Sequence, residues 1–281
     1  MAIDAHAHLA GDFDWAALEA LVESGRFEQV WLMDLSPCEL RMPGFPDVAS
    51  ATQIMGVVER FPDVVVPFGY LDLREGPEIV ARRRDEGFVG LKLYRPEHPC
   101  DDPRYFDHYA QAEELGMPIL MHTGLLAKVA RGDMAAGLSH GPENMRPSRL
   151  AAIAEAFPNL TLIGGHLGYP WLEETAANLY YHANVYNDLS GYRKDIEWLI
   201  RNLDRKCHDG TKRYFNHKIL FATDTFYGSA DANEEALKLL TFWELFLECV
   251  GGYYYRWGEP EEREKILRGN AAGIFVEKDG G

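Results

Sequence analysis

The sequence predicts a TIM-type (β/α)8 barrel, an α/β fold in a single domain over residues 1–281 with a C-terminal helical extension. Three observations predict it. Four apolar, strand-like runs each end in a metal-binding residue type: Ile3-Asp4-Ala5-His6-Ala7-His8, Pro118-Ile119-Leu120-Met121-His122, Leu160-Thr161-Leu162-Ile163-Gly164-Gly165-His166 and Ile219-Leu220-Phe221-Ala222-Thr223-Asp224. The C-terminal ends of the strands are where catalytic groups converge in a parallel barrel. Short apolar runs alternate with amphipathic stretches along the whole chain, the rhythm of βα units. A length of 281 residues suits one such barrel.

Strands are expected near 2–6, 28–34, 64–70, 88–93, 118–122, 160–165, 184–189 and 218–223. Helices are expected near 14–24, 48–61, 76–86, 103–115, 147–157, 171–182, 193–203 and 232–249. Asp102-Pro103 has the residue types of an N-cap and first helical position, and Gly116 ends that helix. Pro62 and Pro158 each stop a helix at the preceding Phe. The connection from Thr123 to Pro147 is long for a compact domain, and it reads as a substrate-covering flap carrying Lys128, Arg131, His140 and Arg146.

The net charge of −16 argues against phosphate backbones and anionic membrane surfaces as partners. Cys38, Cys100, Cys207 and Cys249 are widely spaced and read as reduced thiols. With no membrane-length apolar run and no leader-like start, the expectation is a cytoplasmic enzyme of a small molecule. The aromatic segment Gly251 to Trp257 lies either beneath the barrel or at a subunit interface, so a homo-oligomer is one reading.

Strand alternation places His6 and His8 on one face with Asp4 below them, and Ile3, Ala5 and Ala7 toward the helices. His122 and Asp224 supply further ligands, and a His3Asp set suits one divalent ion: zinc first, iron or manganese as alternatives. Each residue alone has a plainer reading, His122 as a loop histidine and Asp224 as a helix cap; their joint placement points to a metal. Gly90, Gly164 and Ala222 are small inward neighbours that would leave room at the centre.

These motifs resemble the amidohydrolase superfamily, in its amidohydrolase-related branch with aminocarboxymuconate-semialdehyde decarboxylase-like members. The stretches Gly90-Leu91-Lys92-Leu93, Gly164-Gly165-His166-Leu167-Gly168 and Ile266-Leu267-Arg268-Gly269-Asn270-Ala271 extend the likeness. The resemblance implies a metal held by His6, His8, His122 and Asp224, with His166 beside it. It also implies a barrel closed by the segment at Gly269-Asn270-Ala271.

On this reading Asp224 exchanges protons with a metal-activated water and the leaving group, and His166 hydrogen-bonds the developing oxyanion or the attacking water. The first expectation is a hydrolase of an amide, cyclic amide or lactone; the alternative is a nonoxidative decarboxylase of the same branch. A TatD-type nuclease fits less well, because Lys92 stands where that family carries Glu. Lys92 is read as a ligand for a substrate carboxylate, beside Tyr94; if carboxylated, it would bridge a second metal. Arg95 and Arg146 are anion-binding candidates. Tyr169, Trp171, Phe226 and Tyr227 are candidate aromatic walls.

Overall fold

The computed structural model describes residues 1–38, 46–126, 141–191 and 196–275. Lys128, Arg131 and His140 of the expected flap lie outside the described residues, as do positions 193–195 of the expected seventh helix. The strands are β1 (Ala2–Leu9), β2 (Phe27–Met33), β3 (Val65–Tyr70), β4 (Gly90–Leu93), β5 (Ile119–Met121), β6 (Leu162–Gly164), β7 (Val185–Asp188), β8 (Ile219–Leu220) and β9 (Phe226–Tyr227). All pair in parallel, in the order β8-β7-β6-β5-β4-β3-β2-β1-β9. The main helices are α1 (Trp15–Glu23), α2 (Ala51–Arg60), α3 (Ile79–Asp85), α4 (Phe106–Glu114), α5 (Leu150–Ala156), α6 (Leu172–Tyr181), α7 (Ile196–Asn202) and α8 (Ala230–Phe246).

The ring closes between β1 and the chain that leaves β8. Ala5 N donates to Phe221 O at 3.1 Å, Asp224 N to His6 O at 2.8 Å and His8 N to Thr225 O at 2.8 Å. This explains why β8 is shorter than expected. Its continuation turns from β7 to β1 and ends in the additional strand β9. The fold is a TIM-type barrel.

Caps fix the helix starts. Ser50 and Gln53 form a capping box on α2, and Ser229 accepts from Ala232 N on α8. Asp102 accepts from Arg104 N and Pro103 opens a short 3-10 turn into α4, as the residue types indicated. The helices before Pro62 and Pro158 stop at Arg60 and Ala156.

The alternation expected for β1 fails at a bulge. Between Asp4 and Ala7 the strand advances three residues while β2 advances two, from Val30 to Leu32. The extra residue reverses the side-chain parity. Ile3 and Ala5 therefore pack inside the barrel with Trp31, Met33, Phe68 and Leu120, not against the helices. Ala7 and Leu9 pack outside with Leu18 and Leu21 of α1. Asp4, expected beneath the histidines, instead bonds Thr223 and Tyr227. A parity change of this kind depends on the neighbouring strand, so it cannot be seen in β1 alone.

Gly90 and Gly164 do not leave open space. A Cβ on Gly90 would sit 2.6 Å from Phe68 Cζ, and one on Gly164 would sit 3.1 Å from Asn187 Cγ. Beneath the histidines the interior is sealed from the C-terminal side of the chain. Ala271 joins the inner cluster, Asn270 Nδ2 donates to the carbonyls of Asn216 and Ile219, and Phe275 meets Trp31 edge-on at 5.2 Å. The aromatic segment divides: Trp257 is buried between Phe246 and Tyr255, whereas Tyr253 and Tyr254 are exposed.

Gly90→Ala should destabilise the fold by about 1–3 kcal/mol, because Phe68 is stacked on Trp31 at 5.2 Å and has nowhere to retreat. Urea denaturation measures this. An unchanged midpoint would mean that the interior is looser than described.

Candidate metal and acid–base site

The ends of β1, β4 and β7 and the segments that follow β5, β6 and β8 bring their polar side chains to one mouth of the barrel. The β1 bulge turns His6 and His8 toward it. His8 Nε2 lies 3.2 Å from Asp224 Oδ1, and His6 Nε2 lies 3.6 Å from the same oxygen. His6, His8 and Asp224 each offer a ligand atom within 4.8 Å of the others. Two imidazole nitrogens and one carboxylate oxygen at that spacing match the donor chemistry of a divalent ion.

Burial and the neighbouring groups together set the protonation states. Desolvation lowers the pKa of His6 to about 4, helped by the Lys92 ammonium and opposed by Asp188. His122 is held well below the ordinary imidazole range, by burial first and then by His166 and Lys92. Asp224 is pushed up by burial, but the His8 hydrogen bond and the surrounding imidazoles together outweigh this and hold it well below the carboxylate range. The site at neutral pH therefore presents neutral His6 and His122 beside an ionised Asp224.

Asp224 has a left-handed backbone (φ 60°), unusual for a non-glycine residue. It is pinned on both sides. Its N–H donates to His6 O, while Thr223 donates through N (2.9 Å) and Oγ1 (2.6 Å) to Asp4. Tyr227 OH donates to Asp4 at 2.8 Å as well. Asp4 thus anchors the turn that presents Asp224. Tyr227 belongs to this anchor and not to an aromatic wall.

The other expected residues are distributed around this centre. Lys92 is buried and points inward from β4, with Nζ 2.7 Å from His6 Nε2; desolvation lowers its pKa to about 8. His122 Nε2 donates to Leu125 O at 2.9 Å, and its Nδ1 lies 3.0 Å from His166 Nε2. Tyr94 meets His122 edge-on at 5.1 Å. Phe226 stacks on His8 at 4.8 Å and lines a cleft of about 540 Å³ together with Asp224, Thr225, Gly191 and Glu235. Arg146 and Trp171 are joined to each other: the guanidinium lies 4.9 Å over the indole and pairs with Glu174. Their described contacts fasten the segment before α5 to the start of α6.

Asp188 and Ser190 were not singled out from the sequence. Asp188 ends β7 as His122 follows β5, and is fully buried. Its Oδ2 accepts from His6 Nδ1 at 2.9 Å, and its Oδ1 accepts from His166 N at 2.9 Å. The signal that could have found it was its position at a strand end. No histidine accompanied it to draw attention.

The amidohydrolase family model matches residues 3–275. The chain belongs to the amidohydrolase family. No curated protein matches significantly. Among solved structures, the chain resembles an uncharacterised TIM-barrel protein from Bordetella bronchiseptica, with 18% identity, 97% of each chain covered and a TM-score of 0.65. It also resembles 2,6-dihydroxybenzoate decarboxylase from Rhizobium, with 17% identity, 98% of each chain covered and a TM-score of 0.61. A probable 2-pyrone-4,6-dicarboxylic acid hydrolase from Acinetobacter baumannii, bound to citric acid, shares 14% identity over 98% of each chain at a TM-score of 0.60. At these identities the likeness establishes the fold. Among the described residues of this amidohydrolase-family chain, no helix is long and apolar enough to cross a membrane.

Burial raises the Asp4 pKa to about 6, against the opposing hydrogen bonds of Thr223 and Tyr227. The folded state therefore holds this proton more tightly than the unfolded one. Its contribution to stability is full below about pH 4 and is lost as pH rises through about 6. Relative to Asp4→Asn, the wild type should lose about 1–3 kcal/mol between pH 4 and pH 7. Paired denaturation curves at the two pH values measure this. A constant difference would show that folding does not raise the Asp4 pKa.

Proposed function

We propose that this chain is a metal-dependent hydrolase of a small amide, cyclic amide or lactone. One observation carries the reading: Asp224 touches the His8 imidazole, approaches that of His6, and also lines the cleft. A carboxylate so placed can serve both a cation and a proton in transit. His6, His8 and Asp224 would hold the ion, and His122 would join them through Nδ1, the nitrogen that faces His166 Nε2. Zinc suits this donor set best, with iron or manganese as alternatives. When bound, such an ion supplies Lewis acidity and a water acidic enough to ionise near neutral pH.

The chain's own groups perform the rest. Asp224 accepts the proton of the attacking water and returns it to the leaving nitrogen or oxygen. His166, held by Ser190 and Asp188, faces the same centre, and its Nε2 would accept a hydrogen bond from the attacking water. The Lys92 ammonium cannot share the His6 Nε2 lone pair with a cation. Released from it, Lys92 meets an acidic group of the substrate; carboxylated, it would support a second ion. Tyr94 packs beside His122, and Arg146 and Trp171, joined to each other near α6, would be further substrate contacts.

A second reading, nonoxidative decarboxylation, is favoured by Phe226. Its ring lies against His8 at the cleft and suits a flat aromatic acid. Two assays separate the readings. Incubation with lactones and cyclic amides should give ring-opened products, and hydroxylated aromatic acids should be left intact. Release of CO2 without any ring opening would replace the hydrolase with the lyase. Asp224→Asn should fold normally and lower kcat by about 10²–10⁴. Near-normal turnover in that variant would remove Asp224 from the proton path.

A further inference from the structure

We propose that Asp188, at the end of β7, is the positioning residue for two site histidines, setting the tautomer of His6 and the placement of His166. The inference rests on the metal-centre reading above and concerns how this chain prepares that centre. Among the described residues, Asp188 receives four hydrogen bonds, and all come from the site. Oδ2 accepts from His6 Nδ1 at 2.9 Å. Oδ1 accepts from His166 N at 2.9 Å, Ser190 N at 3.0 Å and Ser190 Oγ at 2.5 Å.

Each bond has a directional consequence. A carboxylate accepts only, so the hydrogen of His6 sits on Nδ1 and the Nε2 lone pair is left facing Asp224 and Lys92. The bond to His166 N holds a non-glycine residue in the left-handed region at φ 59°. The single hydroxyl hydrogen of Ser190 goes to Asp188. Ser190 Oγ at 2.9 Å and the Ser190 carbonyl at 3.1 Å then accept from His166 Nδ1, and the His166 Nε2 lone pair is directed at His122. One buried carboxylate thereby orients rings from β1 and from the turn after β6.

His6, His166 and Asp188 also lie close enough together to suggest a second cation. The His6 Nδ1–Asp188 Oδ2 distance of 2.9 Å argues against it. Two ligands at about 2.1 Å from a tetrahedral ion stand about 3.4 Å apart. The observed spacing is that of a hydrogen bond, as in carboxylate–histidine–metal arrangements generally.

Asp188→Asn is the informative variant, because it keeps the volume and offers one acceptor oxygen in place of two. Three donors surround Oδ1, so the amide oxygen stays there and the amide nitrogen faces His6. His6 Nδ1 must then accept, and its hydrogen moves to Nε2, blocking the metal-facing lone pair. The test combines long-range ¹H–¹⁵N spectra of the histidines in metal-free protein with Zn²⁺ titration against a chromophoric chelator. Wild-type His6 should be protonated on Nδ1. In Asp188→Asn the hydrogen should move to Nε2, with zinc affinity reduced about 10–100-fold. An Nε2-protonated His6 in the wild type, or a variant with unchanged tautomer and unchanged affinity, would overturn the proposal. A wild type that binds no zinc would instead remove the metal-hydrolase reading. The tautomer data would still decide the role of Asp188.

Discussion

A fully buried imidazole is costly unless both ring nitrogens find partners, and His6 is where this barrel meets that requirement. Its Nδ1 is held by Asp188, and its Nε2 lies between Lys92 and Asp224. Those partners arrive from β7, β4 and the segment after β8, so the ring can be accommodated only when distant parts of the chain close together. The parity change in β1 is the geometric counterpart: without the extra residue, His6 would turn out toward the helices. The closed barrel is therefore what assembles the site.

The same accounting explains the charges. Asp4, Asp188 and Asp224 approach the mouth from three directions, and each is surrounded by donors. Burial acts on all three, but the outcome differs. Hydroxyl and amide donors leave Asp4 with a raised pKa, whereas imidazoles outweigh burial at Asp188 and Asp224. Asp4 thus works as an anchor for the strained turn at Asp224, while the other two remain anionic beside histidines.

Much of this was legible in the sequence because it is local. A polar residue at the end of an apolar run marks the mouth of a parallel barrel, which located His6, His8, His122, His166, Lys92 and Asp224. What was not legible depends on partners far away in the chain. The β1 bulge is defined only by its register with β2, and it displaced Asp4 from the expected face. Asp188 lacked a histidine neighbour, so its role appeared only when β1 and β7 were brought together. Gly90 and Gly164 promised space that Phe68 and Asn187 fill. Arg146 and Trp171 found each other and Glu174 at α6.

Family membership constrains the architecture, and loop variation on such barrels allows many reactions. At this mouth one carboxylate, Asp224, stands between a pair of imidazoles and the cleft. The account depends on His6, His8 and Asp224 meeting around one cation. Anomalous diffraction at the absorption edge of the metal carried by the purified protein tests this directly. The account predicts a single strong peak within coordination distance of all three side chains. The absence of a peak there in active protein, or a peak ligated by other residues, would contradict it.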